Sequence, residues 1–256
     1  MHTDPDRSTP AGTRVAGVLF LAALVCLPAS APRAAQDLLE PTRQLYASLK
    51  SYADEGTVTY EFGPSDGLVK EQHTFTTRYR GPRHFRFEFT KDPKINDERF
   101  VVWGDDEAFH TWWSTTGLEE AYPRGSGATA FAVSGPRTVG TSVMVAAILF
   151  AGAGLQSALT ELTDATDAGV ETVDGRRCRK LTGVARSVYP ETGYVTNVRR
   201  TTVWIDAESG LVRKVFEDTP RGTPNGTVLR ITTTFVPRAN PALSDSQLGF
   251  TPPPGP

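Results

Sequence analysis

From about residue 57 to residue 235 the sequence returns again and again to a two-residue alternation of apolar and polar side chains. The stretch "GTVTYEF" puts Val58, Tyr60 and Phe62 on one face, and "RHFRFEFT" sets Phe85, Phe87 and Phe89 against Arg86 and Glu88. The runs are separated by turn formers: "RGPR", Gly104-Asp105-Asp106, Asp174-Gly175 and "AESG". Strands joined so tightly pair antiparallel, because parallel neighbours need crossovers of a dozen residues or more. The sequence therefore predicts a meander of ten or eleven antiparallel strands in an α+β, mostly β, fold. A sheet of that width curls strongly, since each strand twists against the next.

Two segments break the alternation. "QDLLEPTRQLYASLKSY" has Leu38, Leu45 and Leu49 at helical intervals and predicts an N-terminal helix from about Pro41. "TVGTSVMVAAILFAGAGLQSAL", residues 138–159, carries no charge and predicts one or two helices inserted mid-chain. We take about 138–163 as a lid over the sheet, with Met144, Ile148, Leu149 and Phe150 as its apolar side chains. A membrane span is the rival reading of this stretch. Its small residues, Gln156 and the lack of basic flanks favour the lid.

The first 35 residues read as a secretory signal peptide. Arg7 and Arg14 precede the uncharged "VAGVLFLAALVCL", and small residues follow. The mature chain is expected to start between Pro32 and Asp37 and to form one domain over 36–250, with a frayed Pro-rich tail at 251–256. That makes the protein exported. It would leave Cys178 alone, so an internal disulfide is excluded. The formal net charge of −2, without a basic block, argues against nucleic acid as a partner.

Several strands carry aromatic residues on one parity: Phe75 and Tyr79; Phe85, Phe87 and Phe89; Phe109 and Trp113. Facing inward on a curled sheet, they either line an apolar cavity or fill an ordinary core. Periodicity does not separate the two.

Three stretches resemble a known family. "YASLKSYADEGTVTYEF", "TTVWIDAESGLVRKV" and "NPALSDSQLGFTPPPGP" are similar, in that order, to segments of LolA/LolB-like exported proteins. The motifs are the Tyr-x-x-Leu-x-x-Tyr helix end, the Trp-Ile-Asp hairpin closed by Gly-Leu, and the Phe-Thr-Pro-Pro-Pro-Gly tail. The resemblance implies a half-barrel around an apolar cavity, capped by helices. It also implies a periplasmic binding or carrier protein for a lipid, an acyl chain or a lipoprotein anchor, touching membrane only transiently. The alternative within the resemblance is an envelope sensor or scaffold of the RseB type, working through contacts with an envelope protein. In the carriers an arginine on the sheet holds the lid, and Arg83 and Arg86 are the candidates for that part here.

No enzyme is expected, and no cofactor. His73, His84 and His110 sit on predicted strands without metal-ligand spacing, so no metal site is expected. Asp105, Asp106 and Glu107 read as a solvated turn. There is no Gly-x-Ser-x-Gly elbow and no phosphate-binding glycine loop.

Overall fold

The computed structural model describes residues 37–64, 67–81, 83–92, 98–123, 125, 127–188, 195–219 and 227–254. The signal peptide expected at 1–35 and the last two tail residues lie outside them.

Helix α1 (Glu40–Ser48) opens the described chain with Pro41 in its first turn, where a missing N–H costs nothing. Six strands follow: β1 (Ser51–Pro64), β2 (Val69–Arg80), β3 (His84–Thr90), β4 (Arg99–Gly104), β5 (Ala108–Trp113) and β6 (Glu119–Pro123). Four short helices come next: α2 (Gly127–Arg137), α3 (Thr141–Met144), α4 (Ala146–Leu149) and α5 (Ala158–Glu161). Strands β7 (Leu162–Val173), β8 (Arg176–Val188), β9 (Val195–Asp206), β10 (Val212–Asp218), β11 (Thr227–Phe235) and β12 (Arg238–Ala239) complete the sheet. A last turn of helix, α6 (Asp245–Leu248), precedes the tail.

The described strands form one antiparallel sheet in the order β6-β5-β4-β3-β2-β1-β11-β10-β9-β8-β7, with β12 on the start of β1. Two meanders thus meet along β1 and β11, where Gly56 to Pro64 pair with Phe235 to Thr227. The sheet is curved and unclosed, the half-barrel expected from the sequence. Its two edge strands, β6 and β7, are consecutive in the chain apart from the helices. The chain therefore leaves one edge and re-enters at the other, and the helices span the gap between them. That topology places them over the concave face.

The two faces are built differently. On the concave side, His73, Phe75, Thr77 and Tyr79 of β2 and Phe85, Phe87 and Phe89 of β3 are all buried. They share one core with Phe131 of α2, Met144 of α3 and Ile148 and Leu149 of α4. On the convex side, charges alternate from strand to strand: Arg200 faces Asp218, Asp218 faces Arg230, Arg230 faces Glu61 and Glu61 faces Lys70. Beside them Thr90, Thr74, Thr57 and Thr234 make a second cross-strand row. Such rows suit a face in water.

Three expectations need correction. The helical insertion begins at Gly127, eleven residues before the expected start, and is four short pieces. Backbone geometry breaks it: Val139 and Gly140 have φ of 53° and 78°, and Gly152 and Gly154 have 90° and 70°. The tail is anchored at its start, because Phe250 packs on Trp103 and Trp112 on the convex face, with ring centroids 5.0 and 5.5 Å away. Arg86 does not reach the lid. Arg83 pairs with Asp106 at a hairpin tip, and Arg86 lies on the convex face, where its Nη1 donates to the Gly249 carbonyl at 2.6 Å. No described helix is long and apolar enough to cross a membrane.

Candidate functional site

The aromatic residues singled out from the sequence lie on the concave face, beneath α2, α3 and α4. Phe75 stacks on Phe87 at 5.8 Å and meets Phe235 edge-on at 5.6 Å. Its ring lies over Gly56, where a Cβ would sit 2.3 Å from Cζ. Phe89 packs 5.2 Å from the His73 ring. Phe75, Phe87, Phe89 and Phe235 are buried in one core. Met144, Ile148 and Leu149 are buried in the same core from the helix side.

Phe150 sits at the end of α4, its N–H donating to the Ala146 carbonyl. Its ring lies 5.3 to 6.0 Å from the rings of Tyr79, Phe85, Phe109 and Phe131. On one side of this cluster the packing stops. A cavity of about 260 Å³ is lined by Phe109, Gly125, Gly127, Ala128, Phe131, Phe150, Ala153 and Leu155. Gly125, Ala128 and Ala153 are exposed and mark its mouth, while Phe109, Gly127 and Phe131 are buried and form its base. None of the described lining residues carries a charged side chain. Gly127 and Gly104 are needed here, because a Cβ at either would stand 2.7 Å from the Phe109 ring.

Of the eleven residues expected to line the cavity or its lid, Phe109 and Phe150 border it. Trp113 is half-buried elsewhere: the Arg137 guanidinium lies 5.1 Å from its ring, and its Nε1 donates to Glu98. Arg137 also lies 5.8 Å from Phe100, so a lid helix grips the sheet through a cation over aromatic faces. The sequence reading missed Phe131, Ala128 and Leu155. Phe131 lies in "RGSGATAF", whose glycines look like loop; the apolar pair Ala130 and Phe131 was the available signal.

Polar groups enter the concave core at three places. Beneath α1, the Tyr52 hydroxyl donates to Asp54 Oδ2 at 2.7 Å, and the Val212 N–H donates to the Tyr46 hydroxyl at 3.1 Å. Asp54 is fully buried, and burial raises its pKa to about 6 despite the Thr77 and Tyr52 hydroxyls and Arg78. Glu217 is buried with Arg199 Nη1 3.0 Å away; desolvation pushes its carboxyl up, and Arg199 opposes the shift. His73 lies 3.3 Å from Glu71 and is pushed down by burial. These groups sit on separate strands and form no catalytic pair. No three His, Cys, Asp or Glu among the described residues could hold a metal ion.

No protein-family model matches the chain, and no curated protein matches it. Solved structures do. The Mycobacterium tuberculosis lipoprotein LppX is 14% identical with a TM-score of 0.42, covering 77% of this chain and 91% of its own. MucB, solved in complex with MucA(peri), is 16% identical with a TM-score of 0.41, covering 83% of this chain and 58% of its own. The LolA superfamily protein NE2245 from Nitrosomonas europaea is 9% identical with a TM-score of 0.34, covering 83% and 96%.

Proposed function

We propose that the protein is an exported binding protein that holds an apolar chain (a lipid, an acyl chain or a lipoprotein anchor) between the half-barrel and its helices. One observation carries this reading: a cavity whose described lining residues are all uncharged opens to solvent where the helices meet the aromatic part of the sheet. Burying apolar surface there is worth roughly 25 cal/mol per Å² before the costs of binding. The proposed setting is the bacterial envelope after removal of the first 35 or so residues. The reading assigns binding and no reaction; among the described lining residues none is an acid, a base or a nucleophile.

Native mass spectrometry of the mature protein, purified without detergent and then extracted with organic solvent, tests the proposal. A released lipid or acylated peptide is expected. A bare mass, together with no uptake of a fluorescent fatty acid, sinks it. The packed state of the rest of the concave face favours one second reading, an envelope sensor or scaffold that works through protein contacts. A clean apo mass with a tightly co-purified protein is its signature.

A further inference from the structure

The cavity is short, and the ring of Phe150 closes it on the side of Tyr79, beside the base formed by Phe109 and Phe131. Tyr79 and Phe85 both pack against Phe150, at 5.3 and 5.5 Å, yet neither borders the cavity. The Phe150 ring therefore stands between the open space and the aromatic core behind it. It is held there by α4, whose Ile148 and Leu149 are buried, while the following residues Ala151 to Gly154 are exposed.

Size then limits the occupant. An apolar cavity of about 150 Å³ holds benzene, six carbons, so about 260 Å³ holds about ten on the same scale. Two chains side by side do not fit that space. The described lining residues offer no charge, which leaves any polar head at the mouth, past Ala128 and Ala153. From these observations we infer that the site takes one unbranched chain of about ten carbons or fewer inside it, and that Phe150 is the residue that sets this length. The inference rests on the proposed binding function and narrows it to single-chain amphiphiles.

Saturated fatty acids from six to sixteen carbons, competed against a fluorescent fatty acid, test it on the full mature chain. Affinity is expected to rise about fourfold per added carbon and to level off near ten carbons. Phe150→Leu removes ring carbons from the end wall and is expected to move the plateau to chains about three carbons longer. Ala128→Trp, at an exposed position on the mouth, is expected to abolish binding at every length without shifting the melting temperature. It keeps the test open where Phe150→Leu folds poorly.

Affinity that keeps rising to sixteen carbons in the unaltered protein would overturn the length limit and leave the binding function standing. A plateau that Phe150→Leu does not move overturns the part given to Phe150. No binding at any length overturns the inference and the proposed function together.

Discussion

At the scale of single residues, two positions show how tightly this concave core is drawn. Gly56 of β1 lies under the Phe75 ring and against the Thr234 carbonyl, each 2.3 Å from where a Cβ would stand. Neither neighbour is free to move: one is a ring wedged between Phe87 and Phe235, the other is backbone in the central pair of strands. Gly56→Ala is expected to cost about 1–3 kcal/mol. For a chain of this size that lowers the melting temperature by about 2–4 °C for each kcal/mol, measured by calorimetry. Asp54 carries a different strain. Its folded pKa of about 6 stands above the ordinary value of 3.8, so the native state holds its proton more tightly than the unfolded state does. Its contribution is therefore fully present below about pH 4 and is lost as pH rises through 6, a change of about 3 kcal/mol at most. Asp54→Asn keeps an acceptor for Tyr52 and has nothing to ionise. Urea midpoints of the native protein minus those of the variant should fall between pH 4.5 and 7.5. Glu217, raised in the same direction, leaves a residual slope common to both proteins. An identical slope in the two would remove Asp54 from the account.

At the scale of elements, what could be read from the sequence depended on how far away each element finds its partners. Strand β3 announces itself because Phe85, Phe87 and Phe89 alternate within seven residues, and its hairpin neighbours follow at once. Helix α1 shows as well, with Tyr46 and Leu49 spaced to face one core. The lid pieces were harder. Four-residue helices complete barely one turn, so periodicity has nothing to repeat, and Gly135, Pro136 and Gly140 mimic a loop. Phe131, on the eleven-residue α2, escaped for the second reason, the glycines and proline of that helix, while Phe109 was found by its strand alternation. The docking of the tail was equally hidden, since Phe250 meets Trp103 and Trp112, which are distant in sequence. Its site is a slot on the convex face, with the Arg86 and Arg99 guanidinium groups each 5.3 Å from the ring. Phe250→Ala should uncover both tryptophans and cost about 2 kcal/mol, within the range for losing a large buried apolar group. A red shift of tryptophan emission with the fold retained is the expected signature. Unchanged emission would mean that the tail leaves this slot in solution.

At the scale of the whole molecule, the order of strands separates what holds the sheet together from what covers it. The lid helices are the sole link in sequence between the half ending in β6 and the half beginning with β7, yet the two halves touch along the middle of the sheet. Nine residues of β1 pair with β11, and Tyr52 and Ala53 pair with β12. Helix α1, from the first half, adds contacts beyond it: Tyr46 accepts from the Val212 N–H of β10, and Arg43 donates to the Leu159 carbonyl of α5 at 3.0 Å. The exposed segment Ala151 to Gly154, with two glycines at positive φ, is the natural place for a protease to enter. Cutting there with an enzyme that cleaves after small residues should therefore leave a nicked protein of unchanged elution volume, its two fragments separating only in denaturant. The cut frees Phe150 from the far side of the lid while β1 and β11 stay paired, so chain binding should weaken before the sheet comes apart. Fragments that separate in native buffer would show that the connection across the open edges, not the central strand pair, is what holds the half-barrel together.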